Sequence, residues 1–135
     1  MIKLTIPGEP QGKARARTGK GFAYTPEKTV LYENLIKSIF MSEGCKRFDG
    51  EGRPLEMNIK AYYKIPKSAS KNVRQFMLDG HSRPTKKPDL SNVVKVVEDA
   101  LNNVAYYDDV QIVKITAEKY YSDNPRVEIE IREAE

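Results

Sequence analysis

The stretch from Lys86 to Gln111, KKPDLSNVVKVVEDALNNVAYYDDVQ, decides how the rest of the chain is read. After Leu90 the apolar residues Val93, Val97, Ala100 and Leu101 recur at helical spacing. Asn92, Lys95 and Asp99 follow at i, i+3, i+7 and form a polar stripe on the other side. Asp89 or Ser91 stands where a free first-turn amide needs an acceptor, so the helix starts there. Past its end, a Tyr-Tyr-Asp-Asp turn carries Asp108 and Asp109 into a strand beginning near Val110. A helix, loop and strand of this length can return Asp109 to the side of Asp89. Two carboxylates so placed repel each other, and a divalent cation relieves the repulsion.

Upstream of the acids, the loop HSRPTKK places Arg83, Lys86 and Lys87 directly before Asp89. Cations beside a carboxylate site suit a polyanion that must be drawn onto a bound metal. Simple charge balance for the aspartates is the plainer account. His81, the only histidine, reads as a solvated loop residue. Ser68 to Leu78 reads as a short helix with Val73, Phe76 and Met77 on its apolar face. Before it, Leu55 to Ile65 alternates apolar and polar residues over its whole length and is the clearest strand in the chain. Thr25-Pro26-Glu27 predicts a helix start with Thr25 as cap, and the apolar face from Leu31 to Phe40 follows it.

At the N-terminus, Ile2, Leu4 and Ile6 alternate as a half-buried strand, stopped by Pro7-Gly8. The segment QGKARARTGKG follows. In an extended backbone its Lys13, Arg15 and Arg17 would project to one side and suit a phosphate backbone. An ordinary solvated loop is the competing reading. Downstream of the acids, Gln111 to Tyr121 and Val127 to Ile131 read as two strands joined at Asp123-Asn124-Pro125, hence as an antiparallel hairpin.

The chain has 135 residues, a net charge of +4 and one cysteine, Cys45. That length suits one domain. A pI of about 9.1 permits nucleic-acid binding without requiring it. One cysteine excludes an intrachain disulfide and a cysteine-built zinc site, and fits a reducing cytoplasm. No apolar run reaches the roughly 20 residues that span a bilayer, and no signal-peptide layout is present. Four strands with intervening helices predict an α+β fold, a mixed four-stranded sheet covered by helices.

The stretch Lys87-Pro88-Asp89, Asn92, Lys95, Asp99-Ala100-Leu101, Asp108-Asp109 and Gln111-Ile112 resembles the signature of the RusA-type Holliday junction resolvases. That pattern runs Lys-Pro-Asp-x-Asp-Asn, a Lys three residues later, Asp-Ala-Leu, then Asp-Asp-x-Gln-Ile. Ser91 departs from it, standing where the family carries a second aspartate. The resemblance implies a homodimeric, Mg²⁺-dependent endodeoxyribonuclease, with Mn²⁺ an alternative ion, acting on four-way junction DNA. It favours DNA contact by the Lys13–Arg17 segment. Asp89 and Asp109 are then the expected metal ligands, with Asp108 and the Ser91 position beside them. Lys95 would neutralise charge on the phosphate, and Asp99 would orient Lys95. Because serine is a neutral donor, a junction-binding protein with weak cleavage stays open as an alternative. A phosphohydrolase of small substrates fits the acids but not the basic segments.

Overall fold

A computed structural model of the chain describes residues 1–14 and 26–135 in full and, within 15–25, the backbone of 17–19 and 22–24. The alternating segments form the expected strands: β1 (Ile2–Pro7), β4 (Leu55–Lys64), β5 (Ile112–Ser122) and β6 (Arg126–Glu133). They make one mixed sheet in the order β1-β6-β4-β5, parallel only between β4 and β5. Period-two alternation puts Leu4, Ile129, Ile59 and Ala117 side by side on one face. Helices α1 (Glu27–Ser42) and α3 (Leu90–Leu101) cover that face with Tyr32, Ile36 and Phe40, and with Val93, Val97 and Leu101. The chain is therefore a single α+β domain.

The expected β5–β6 hairpin does not form, because β4 lies between the two strands. All five core-facing residues of β4, from Leu55 to Tyr63, are buried, which suits a central strand. Residues 123–125 step over its end, from Ser122 beside Lys64 to Arg126 beside Tyr62. Two strand spacings are about 9.6 Å, and four Cα steps reach about 15 Å, so so short a link can pass over β4. The turn residues fixed the reversal and not the pairing.

The basic N-terminal segment is more structured than a loop. Arg17–Gly19 (β2) and Phe22–Tyr24 (β3) pair antiparallel. Helix α1 begins at Glu27 with Pro26 at its N-cap, one position later than expected, and Thr25 lies outside the described residues. Helix α2 (Lys71–Leu78) starts behind Ser70, whose Oγ accepts from the Val73 amide at 3.3 Å. Its apolar face does not enter the core: Val73 and Phe76 are exposed. At the sheet edge, Val113 and Ile115 of β5 are exposed as well, where the helical cover runs out.

Candidate metal and nucleic-acid site

Helix α3 carries the polar stripe as expected. Asp89 is its N-cap residue, yet its carboxylate makes no capping bond, and it is exposed. Tyr63 fixes the approach to it, donating from its hydroxyl to the Pro88 carbonyl at 2.7 Å. Burial, reinforced by the Asp89 charge, pushes the Tyr63 phenol up to about 12, so it remains a donor. Ser91 is exposed in the first turn.

Beside this end of α3 lies a groove of about 700 Å³, lined by Asp89, Asn92, Lys87, Lys28 and the segment 10–14. The segment is stapled down. Lys13 donates its amide to the Asn92 carbonyl at 2.9 Å, and Ala14 donates its amide to Thr29 Oγ1 at 3.3 Å. Just before them Gly12 packs so tightly that an added Cβ would stand 2.8 Å from Asn92 Cβ and 3.0 Å from Pro88 Cβ. Only glycine permits this approach.

The acidic turn lies at the other end of α3. Asp109 donates its amide to Oδ1 of Asn102, the residue that closes the helix, at 3.2 Å. From Asp89 to Asn102 the helix advances about 20 Å at 1.5 Å per residue. Within one chain Asp109 therefore does not fold back beside Asp89. Among the described residues no three His, Cys, Asp or Glu side chains converge on one point. Of the four expected donors, Asp89 and Ser91 lie at the start of α3, and Asp108 and Asp109 adjoin its C-terminal end.

The second pair is set by Gln111. Its Oε1 accepts from the amides of Tyr107 at 2.8 Å and Asp108 at 3.2 Å. Its Nε2 donates to the carbonyls of Gly50 and Arg53, both at 3.0 Å. A buried glutamine thus ties the turn to a loop more than fifty residues away, which no local pattern announces. A hydrogen bond with the Asp108 carboxyl raises the Asp109 pKa above the ordinary carboxylate value, and desolvation and the Asp108 charge add to it. Two acids so close repel each other. Two hard oxygen donors in that condition fit Mg²⁺, which takes one or two carboxylates and keeps several waters.

Between the two ends, Lys95 Nζ meets Asp99 Oδ1 at 3.2 Å, the expected i, i+4 pair. That bond, with the Asp99 and Asp109 charges, raises the Lys95 pKa and keeps its ammonium charged. Lys13 does not project outward with the basic segment. Its Nζ lies 3.2 Å from Asp99 Oδ2 and 3.1 Å from Glu33 Oε2. Glu33 escaped the sequence reading. The available signal was a carboxylate in the stripe Thr29, Glu33, Ile36, Phe40, where a helix of this kind is otherwise buried.

Of the other expected DNA contacts, Lys86 and Lys87 are exposed. Arg83 stacks on the Tyr120 ring at 4.4 Å and pairs with Glu118 at 3.2 Å. The side chains of Arg15 and Arg17 lie outside the described residues. Among the described residues no helix is long and apolar enough to cross a membrane.

Comparison with known proteins agrees with the motif. A family model described as Endodeoxyribonuclease RusA matches residues 7–132. The chain is 40% identical over 138 residues to the uncharacterized protein YqaN of Bacillus subtilis (strain 168), covering 98% of this chain and 96% of that one. It is 31% identical over 99 residues to a Lactococcus phage r1t protein named crossover junction endodeoxyribonuclease rusA, covering 73% of this chain and 69% of the phage protein. Matched from β1 to β6, through both the acidic helix and the acidic turn, the chain belongs to the RusA family.

Proposed function

We propose that this protein is a divalent-metal-dependent endodeoxyribonuclease that resolves four-way DNA junctions. The family and the phage relative's name supply the substrate class. The observation that carries the reading is the α3 stripe: an exposed carboxylate that caps nothing at one end, two adjacent carboxylates at the other, and a lysine between them.

Asp108 and Asp109 would hold Mg²⁺, or Mn²⁺ in its place, and Asp89 would be a further, weaker donor on the groove, with Ser91 in the same helical turn. A bound ion supplies Lewis-acid polarisation of the phosphate and lowers the pKa of a water. The chain's own residues do the rest. Lys95 has three ammonium protons and uses one on Asp99, leaving donors for a phosphate oxygen. Lys87 and Lys28 flank Asp89 in the groove and offset its repulsion of the DNA backbone. Lys86, exposed next to Lys87, adds to that positive charge.

A homodimer would bring one such site to each of two strands. The exposed apolar faces of α2 and β5 favour it, since Val73, Phe76, Val113 and Ile115 lack cover in one chain. The test is incubation of a synthetic four-way junction and a linear duplex of the same sequence with Mg²⁺. Paired nicks in the junction alone support the proposal, and an intact junction at every Mg²⁺ and Mn²⁺ level contradicts it.

A second reading, a junction binder that cleaves weakly, draws support from the absence of a three-carboxylate cluster among the described residues. Ser91 supplies no charge in the helical turn that begins at Asp89.

A further inference from the structure

We infer that Glu33 and Lys13 are positioning residues of this site: with Asp99 they form a half-buried line of alternating charges that aims the Lys95 ammonium. The inference rests on the reading of Lys95 as the cation that meets the phosphate.

The line spans three parts of the fold. Glu33 comes from α1, Lys13 from the stapled segment, and Asp99 and Lys95 from α3. Side-chain exposure is 15% at Glu33, 24% at Lys13 and 25% at Asp99, then 55% at Lys95, so the line opens to solvent mainly at its last member. Each oxygen of Asp99 binds a different ammonium, Oδ2 to Lys13 and Oδ1 to Lys95. The carboxylate cannot rotate without breaking one of these bonds, which fixes the point from which Lys95 extends. With Oδ2 taken, Asp99 also cannot draw the Lys95 ammonium onto both of its oxygens.

Lys13 is suited to this work and not to touching DNA. Its amide is bonded to α3, and the next amide is bonded to α1, so its side chain starts from a fixed place. Burial lowers the Lys13 pKa, but the bonds to Glu33 and Asp99 outweigh it and the ammonium stays charged. Two of its three ammonium protons are taken by Glu33 and Asp99, so it has less left for a phosphate than Lys95.

The test compares Lys13→Met, Glu33→Gln and the double variant with the wild type, in single-turnover cleavage and in junction binding across a salt series. The expected result is a rate about tenfold lower in each single variant, with little further loss in the double. Junction affinity should stay within about twofold of wild type in all three, with the salt slope unchanged. Lys13→Arg should restore most of the rate, because it also bridges two carboxylates. A slope lower by about 0.9 in Lys13→Met makes Lys13 a phosphate contact and overturns the inference, as do unchanged rates. Glu33→Gln, nearly isosteric, carries the test if Lys13→Met does not fold. A wild-type chain that cleaves no junction removes the site reading, and the inference is then decided by the Lys95 ¹⁵Nζ resonance. A shift in both single variants but not in Lys3→Met upholds it, and an unmoved resonance overturns it.

Discussion

The amide of Asp109 donates to Oδ1 of Asn102 at 3.2 Å, so the acidic turn is latched to the last residue of the acidic helix. This latch keeps Asp108 and Asp109 at the C-terminal end of α3, within reach of the Lys95 and Asp99 charges. Replacing Asn102 with Ala removes one exposed hydrogen bond. The expected loss of stability is about 0.5–1.5 kcal/mol by urea denaturation, with a higher Mg²⁺ midpoint for cleavage. An unchanged midpoint would show that the latch does not place the metal donors.

Gln111 is the residue whose loss should cost most. Gln111→Ala leaves two amides and two carbonyls without their partner, in a turn that is partly closed to water. Destabilisation of about 2–4 kcal/mol is expected from denaturant unfolding. Gln111→Glu should fare little better, since the carboxylate cannot donate to Gly50 and Arg53. A stable Gln111→Ala protein would mean that the turn finds other partners.

Arg15 and Arg17 remain candidates for the phosphate backbone, whereas Lys13 is engaged inside the fold. Arg15→Ala and Arg17→Ala should each weaken binding to junction and duplex alike, and each lower the salt slope by about 0.9. Equal slopes in mutant and parent would leave these arginines as solvated surface.

Ser91→Asp puts a second carboxylate in the helical turn that begins at Asp89. Charge count is a main lever on affinity for hard cations, so the Mg²⁺ midpoint for cleavage should fall. A carboxylate remote from any metal would add only helix N-terminal stabilisation, about 0.3–1 kcal/mol. Superimposable rate curves against Mg²⁺ would remove Ser91 from the donor set. Activity in the variant where the parent shows none would favour the junction-binding reading.

Periodicity made β1, β4 and α3 legible, because their faces differ sharply in polarity and the core rewards that difference directly. It could not order the sheet: Asp123-Asn124-Pro125 reads the same whether the strands it joins are neighbours or flank a third. Nor could charge alternation at Lys13, Arg15 and Arg17 separate a residue facing solvent from one facing Glu33 and Asp99. The acids themselves were visible, but their grouping was not. Whether Asp109 returns to Asp89 depends on where the chain turns after Leu101, and that is settled by Asn102 and by Gln111's bonds to the distant Gly50–Arg53 loop.

The most direct measurement of the central claim is cleavage of a four-way junction as a function of Mg²⁺ by the wild type and by Asp109→Asn, with binding of the same junction followed by gel shift. Mg²⁺-dependent paired cleavage is expected of the wild type. In Asp109→Asn the rate should fall at least about a hundredfold while the junction is bound as tightly or more so, because a ligand is lost together with a charge that repels phosphate. Cleavage by Asp109→Asn at the wild-type rate and the wild-type Mg²⁺ midpoint would contradict it.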